Sequence, residues 1–131
     1  HRLNNIEFLG YKSGEELIQL KKQAYFTVVP SEWYENNPMA IIESYAEGVP
    51  AIGSKIGGIP EIIKEGKTGY IFTPKNDKEL AELIKKAANL TREEYLTMSN
   101  NAIKFAQKDM SKESYYNRLI PFYKQIMDID K

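Results

Sequence analysis

Strand-like apolar runs alternate with helix-like stretches over residues 1–76, and this alternation restricts the possible folds more than any other feature. Strands separated by helices predict a parallel sheet, because a parallel connection needs a crossover of helix length. We therefore expect an α/β fold with a Rossmann-like, open parallel sheet. The strand-like runs are 5–9 (NIEFL), 25–29 (YFTVV), 50–54 (PAIGS) and 70–72 (YIF).

Capping patterns mark the helices expected between these strands. Ser13, followed three residues later by Glu16, is typical of a helix start. A second helix is expected over 38–47, with Asn37 as its N-cap and a proline at its first helical position. The run 25–29 is almost continuously apolar, which predicts a strand buried on both faces.

From residue 77 onward the sequence is helical. Asp77, Thr91 and Ser111 are the expected N-caps of three helices, and Glu94 completes a capping box with Thr91. The last helix has an apolar stripe, and Pro121 is expected to kink or break it. We interpret the stripe as core or domain-docking surface rather than a ligand-stacking surface. Its members are Tyr115, Leu119, Phe122, Ile126 and Ile129.

Composition narrows the classes of function. The 131 residues, 42% of them hydrophobic, suffice for one domain with a core. Eighteen basic and eighteen acidic residues give a net charge of zero, so no overall field attracts nucleic acid. The absence of cysteine excludes disulfides and thiolate metal sites, and the single histidine, His1, is terminal. With no apolar run of about 18 residues, a soluble cytoplasmic protein is expected.

The segment ENNPMAIIE, residues 35–43, has two glutamates around an expected helix start. The backbone N–H groups of Met39 and Ala40 would be unpaired at the positive end of the helix dipole. This start follows the carboxyl end of a strand, which is where open α/β sheets bind ligands. The position is therefore a natural phosphate site, with Glu35 and Glu43 on either side of it.

The distance between the Glu35 and Glu43 carboxylates helps to distinguish the kinds of site that they could form. Helical and extended rises put them roughly 12 Å apart or less. Two carboxyls that cooperate across a glycosidic bond need roughly 5 to 9.5 Å, which weighs against a glycoside hydrolase. A long ligand with hydroxyls at both ends and phosphate between them, such as a nucleotide sugar, fits better. Spacing alone also allows two unrelated surface charges, since the helix dipole favours a glutamate near a helix start.

Residues 30–72 resemble the donor-binding core of the group 1 (family 4) retaining glycosyltransferases of the GT-B fold. That family has Pro-Ser after a strand, two glutamates separated by seven residues, Gly-x-Pro, a Gly-Gly-x-x-Glu loop and a final Gly-x-x-Gly turn. Most of the chain follows the family layout. The matching residues are Glu35 and Glu43, Gly48 and Pro50, Gly57, Gly58 and Glu61, and Gly66 and Gly69.

The resemblance assigns roles to these residues. It implies that Glu35 is catalytic, holding hydroxyls of the transferred sugar near the reacting carbon, and that Glu43 holds the ribose hydroxyls. The backbone of the intervening residues would contact the sugar or its phosphate, and two glycines would let a loop approach closely. The backbone contacts are Asn36, Asn37, Met39 and Ala40, and the two glycines are Gly57 and Gly58. No cofactor and no tightly bound metal are expected, because cationic side chains and helix N-termini stabilise the leaving diphosphate.

The resemblance also implies a longer enzyme. Residues 1–131 would form a partial donor-binding domain, 1–76 alternating strand and helix and 77–131 helical. The basic pair that clamps the diphosphate would lie upstream of NIEFL, and a separate N-terminal domain would bind a glycan or lipid acceptor. We expect the isolated chain not to transfer sugar. The full enzyme would act in polysaccharide biosynthesis, with peripheral membrane association as one option.

Two further expectations concern the edge of the sheet and the kind of activity. Missing strands would leave an exposed sheet edge, so residues 5–9 would pair beside another strand or the chain would self-associate.

A non-catalytic module that binds a phosphorylated or carbohydrate ligand is the alternative to the transferase, because the same scaffold can recognise such ligands without transfer.

Overall fold

Three strands form one parallel sheet in the order β1-β2-β3. The computed structural model describes the backbone of residues 3–129 and the side chains of residues 3–127. The predictions for His1 and for the side chain of Ile129 therefore lie outside the described residues. The strands are β1 (Thr27–Val29), β2 (Ala51–Ser54) and β3 (Gly69–Phe72). The helices are α1 (Gly14–Gln23), α2 (Met39–Ala46), α3 (Ile59–Ile62), α4 (Asp77–Ala88), α5 (Arg92–Asp109) and α6 (Lys112–Ile129).

The sheet confirms the predicted α/β class. Helix α2 connects β1 to β2 and α3 connects β2 to β3, and both pairs of strands are parallel. In register, Val28 lies beside Ile52, which lies beside Tyr70. All four residues of β2 are buried, as expected for the central strand of a sheet covered on two faces.

Two apolar clusters hold the layers together, one on each face of the sheet. The first joins α2, α3 and α5 to the sheet, and the second joins α4 and α5 to it. Successive residues of β2, Ala51 and Ile52, enter opposite clusters, because side chains alternate across a strand. The buried members are Ile41, Tyr45, Ala51, Ile59, Ile62, Ile63 and Ala102 in the first cluster, and Ile52, Tyr70, Phe72, Ala87 and Met98 in the second.

Two strand predictions were wrong. Residues 5–9 form no strand, and Phe8 is 94% exposed, so this segment does not pair beside another strand in this chain. Among the described residues, no strand lies beside this segment to accept and donate the backbone hydrogen bonds that a strand needs. Strand β1 is not buried on both faces, since Val28 is exposed. The cause is the position of β1 at the edge of the sheet, where only the Thr27 and Val29 face is covered by α2.

Some of the predicted helix N-caps are present in the structure and others are not. Thr91 and Glu94 form the expected capping box, and Ser111 accepts a hydrogen bond from Ser114 N at 3.1 Å. Helix α4 is capped by Asn76 and not by Asp77, because the Asn76 side chain accepts the Glu79 N–H at 3.1 Å. Ser13 precedes α1 but makes no side-chain cap, while Glu16 pairs with Lys12 instead.

Helix α6 differs most from expectation. It continues through Pro121 without a break. Within the described residues, three members of its stripe, Tyr115, Phe122 and Ile126, are exposed and are not core, whereas Leu119 is partly buried. Docking against another surface remains as the interpretation of this stripe. No helix within residues 3–129 is long and apolar enough to cross a membrane.

Candidate functional site

Glu35 lies in the loop that leaves the carboxyl end of β1. The Ser54 hydroxyl, at the end of β2, donates to the Ser31 carbonyl at 2.6 Å and ties this loop to the sheet. The Ser31 hydroxyl in turn donates to Glu35 Oε1 at 2.9 Å. The half-buried carboxylate is thus held at the carboxyl ends of two parallel strands, as an open α/β sheet requires of a ligand-binding group.

The Gly57-Gly58 loop packs directly on the backbone of Glu35. The Gly58 N–H donates to the Glu35 carbonyl at 2.6 Å. A β-carbon on Gly57 would lie 2.5 Å from that carbonyl oxygen, and one on Gly58 would lie 2.6 Å from the Asn36 carbonyl oxygen. Gly57 also has a φ of +57°, which side chains disfavour. Both glycines are therefore needed for this close approach, beyond the needs of a plain turn.

The start of α2 is one residue later than predicted. Pro38, with ψ of 83°, is the N-cap, so the assignment of Asn37 as N-cap was wrong. The Pro38 carbonyl accepts the N–H groups of Ile41 and Ile42 at 3.0 and 3.4 Å. Within residues 3–129, no backbone carbonyl pairs with the N–H of Met39 or Ala40. These two donors remain available to an anion at the positive end of the helix.

Glu43 lies one turn further along α2, on the side that faces α1. Lys21 of α1 donates to Glu43 Oε2, and Lys22 pairs with Glu47 at 3.7 Å. A crevice of about 380 Å³ separates the two helices at this point. It is lined by Gly14, Leu17, Ile18, Lys21, Glu43, Ala46 and Glu47.

A second, more polar cleft of about 650 Å³ opens beside the start of α2. Asn36, Asn37 and Gly58 line it together with three cations, Lys64, Lys67 and Arg118. The Lys64 ammonium donates to the Glu61 carbonyl at 2.6 Å, and Arg118 Nη2 donates to the Asp109 carbonyl at 2.8 Å.

The structure therefore divides the predicted site residues into two groups. Glu35 and the Gly57-Gly58 loop share one cluster of contacts beside the polar cleft, whereas Glu43 lines the crevice with α1. Sequence reasoning missed Lys21 and Arg118. Lys21 lies 22 residues before its partner and carries no motif, and Arg118 reaches the cleft only through the packing of α6.

The fold and this site together define a Rossmann-like α/β unit whose ligand-binding groups collect at the carboxyl ends of its strands. Residues 1–105 match the family described as "Glycosyl transferases group 1". The chain belongs to this family. Membership favours the glycosyltransferase interpretation over a non-catalytic binding module.

Comparison with individual proteins agrees. The chain is 35% identical to the sulfoquinovosyl transferase SQD2 of Arabidopsis thaliana over 67% of this chain and 20% of that protein. Among solved structures, sucrose-phosphate synthase of Thermosynechococcus elongatus matches with a TM-score of 0.79 and 26% identity, over 94% of this chain and 30% of that one. Anabaena HepE in complex with UDP shares the fold, with a TM-score of 0.82 and 24% identity over 93% and 33% of the two chains.

The chain is short relative to these proteins. It spans between 20% and 33% of the length of the curated relatives that match it first. The activity of a full-length protein that contains this chain therefore does not follow from these matches alone.

Proposed function

We propose that this chain is the donor-binding part of a retaining, nucleotide-sugar-dependent glycosyltransferase of the GT-B fold. One observation supports this most: Gly57 and Gly58 pack on the backbone of Glu35 at the carboxyl ends of the strands. A few residues further along the chain, the N–H groups of Met39 and Ala40 have no backbone partner within residues 3–129. In this proposal, the Glu35 carboxylate and these two backbone donors bind one ligand. Structures of Anabaena HepE in complex with UDP and with UDP-glucose support a nucleotide sugar as that ligand.

The proposed roles follow the order of groups along such a ligand. Glu35 holds hydroxyls of the sugar near the reacting carbon, and Glu43 holds the ribose hydroxyls. The N–H groups of Met39 and Ala40, with the backbone of Asn36 and Asn37, contact the sugar or diphosphate. In the reaction, the bond from the anomeric carbon to the diphosphate oxygen breaks. A bond from the same carbon to an acceptor oxygen forms with retention, and the proton of the acceptor passes to the leaving diphosphate.

The wider setting is also proposed. The acceptor is a glycan or a lipid bound by another part of a longer protein, and the enzyme acts in the cytoplasm in polysaccharide biosynthesis, with peripheral membrane association as an option. Electrostatic stabilisation of the leaving diphosphate would not require a metal. Sugar transfer by the complete enzyme should therefore continue in EDTA, and loss of transfer that added Mg²⁺ restores would contradict this.

The test of the donor site is an NMR titration of the chain with UDP, GDP and ADP and with their sugar conjugates. Glu35→Gln should weaken binding of the nucleotide sugar more than binding of the nucleoside diphosphate, since Glu35 contacts only the sugar. Glu43→Gln should weaken both equally, because both ligands contain the ribose. Glu32→Gln is the matched control, since Glu32 is exposed in the same loop and pairs with Lys75 at 3.4 Å.

Two outcomes would refute the proposal. One is the absence of chemical-shift changes at residues 35–43 with every nucleotide tested. The other is equal weakening by Glu35→Gln and Glu32→Gln. Turnover of a nucleotide sugar by residues 1–131 alone would refute the narrower claim that this chain cannot transfer sugar by itself.

A further inference from the structure

We propose that Lys21 is a positioning residue for Glu43: it fixes one carboxylate oxygen, so that the other faces the ribose hydroxyls of the donor. This inference rests on the proposed function of Glu43. It adds a residue from α1, a helix that none of the site motifs includes.

The contact is specific in its atoms. The Lys21 ammonium donates to Glu43 Oε2, and within the described residues no group donates to Glu43 Oε1. An ionised carboxylate has about four acceptor positions, so Oε1 can still accept from a vicinal diol. One oxygen of Glu43 is thus held by the protein while the other is open to ligand.

The burial of the two partners differs in a way that favours this role. The Lys21 side chain is 16% exposed, whereas that of Glu43 is 52% exposed. Because most of the Lys21 side chain is covered by the protein, it has few alternative positions, whereas the more exposed Glu43 side chain has more. Glu43 is the only partner of Lys21 among the described residues. Lys21 is therefore the fixed member of the pair, and it restrains the more exposed glutamate.

The charge of Lys21 also suits the proposed ligand. An isolated carboxylate beside the phosphate site would repel a diphosphate, since like charges at short range oppose binding. The ammonium cancels the charge of Glu43 locally. Glu43 can then accept hydroxyl hydrogen bonds with less electrostatic cost to the neighbouring diphosphate.

The attachment of α1 offers a matched control. Helix α1 has no buried residue, and it reaches α2 through two ion pairs, Lys21 with Glu43 and Lys22 with Glu47. The two lysines occupy the same last turn, where the helix dipole favours both. Lys22→Met therefore removes a cation and one link to α2 while leaving Glu43 and its partner intact.

The test measures dissociation constants by NMR for whichever of UDP, GDP and ADP binds tightest, and for its 2′,3′-dideoxy analogue. Lys21→Met and Lys21→Gln should weaken binding of the natural nucleotide about two- to fivefold, the range of a modest ion-pair contribution. They should also bring the affinities for the nucleotide and its dideoxy analogue close together. Lys21→Arg should restore both affinity and discrimination, and Lys22→Met should change neither.

The outcomes separate this inference from the proposed function. If Glu43→Gln abolishes discrimination against the dideoxy analogue but both Lys21 variants keep it, the inference is overturned and the donor site stands. If Glu43→Gln leaves discrimination unchanged, or no nucleotide binds, both are overturned. If the Lys21 variants weaken binding of the nucleotide and of its dideoxy analogue equally, Lys21 acts only through its charge. That result would overturn the inference that Lys21 positions Glu43.

Discussion

Gly57 and Glu35 approach each other so closely that a β-carbon on Gly57 would lie 2.5 Å from the Glu35 carbonyl oxygen and 2.6 Å from its backbone nitrogen. The same carbonyl accepts the N–H of Gly58 at 2.6 Å. A β-carbon this close to backbone atoms would clash with them, so the packing leaves no room for a side chain at Gly57. The glycine loop and the glutamate therefore fix each other's position, and a change in the loop should be felt at the carboxylate.

Gly57→Ala should lower both stability and nucleotide-sugar binding. The left-handed backbone costs an alanine about 1–2 kcal/mol, and the clash with Glu35 adds about 1–3 kcal/mol. Gly66→Ala is the control, because Gly66 has a φ of +70° and a β-carbon added there would have nothing within 4 Å. Urea unfolding should show the larger loss for Gly57→Ala. Equal losses in the two variants would show that the clash relaxes without cost.

Sequence patterns predicted some contacts between residues that lie close in the chain. The capping box of Thr91 and Glu94 is an example, since both partners belong to one turn. The strand predicted at 5–9 was wrong, because a strand depends on a neighbouring ladder as well as on its own residues. The stripe of α6 had the right period for burial, but the period does not specify which surface covers it.

The site could be predicted in its motifs but not in its cross-chain contacts. Glu35 and the Gly57-Gly58 loop were named from the sequence, and the structure brings them together. Their roles toward a ligand remain predictions. Lys21 was not identified as a site residue, because its contact with Glu43 depends on how α1 lies against α2, which no local pattern encodes.

Glu94→Gln should remove part of the acid sensitivity of the fold. The Thr91 backbone N–H and, less strongly, its hydroxyl donate to Glu94 and lower the pKa of that carboxyl below its ordinary 4.5. A lowered folded-state pKa gives stability that is present above the ordinary value and lost as the pH falls through the folded-state pKa. The melting temperatures of the two proteins should therefore differ most near neutral pH and converge in acid.

The neighbouring Glu93→Gln is the control for this titration, since Glu93 lies in the same first helical turn and takes no part in the capping box. At neutral pH it should lower the melting temperature less than Glu94→Gln does, because no capping hydrogen bond is lost. A gap between wild type and Glu94→Gln that stays constant down to strongly acidic pH would contradict the assignment.

Tyr45 should make the fold sensitive to alkali. Burial raises its pKa above the ordinary 10.0, and the hydrogen bond of 2.8 Å to Thr68 opposes this only in part. A raised folded-state pKa gives stability that is complete below the ordinary value and is lost as the pH rises above it. Tyr45→Phe should cost about 1 kcal/mol at neutral pH through the lost hydrogen bond. Urea unfolding above pH 10.0 should show that gap shrink, and a gap independent of pH would contradict the prediction.

Among residues 3–129, β1 pairs only with β2, and its other edge should drive self-association of this chain. The Thr27 N–H donates to the Pro50 carbonyl, on the side of β2, at 3.0 Å. Successive N–H groups of a strand point to opposite sides, so the Val28 N–H points away from β2 to the open edge. Val28→Pro removes this outward donor without removing a bond to β2, and proline at an edge blocks pairing. Sedimentation velocity over a wide concentration range should show weaker association for Val28→Pro than for wild type.

The control is Val28→Thr, which keeps the N–H and should associate as wild type does. A wild-type chain that stays monomeric throughout would contradict the prediction.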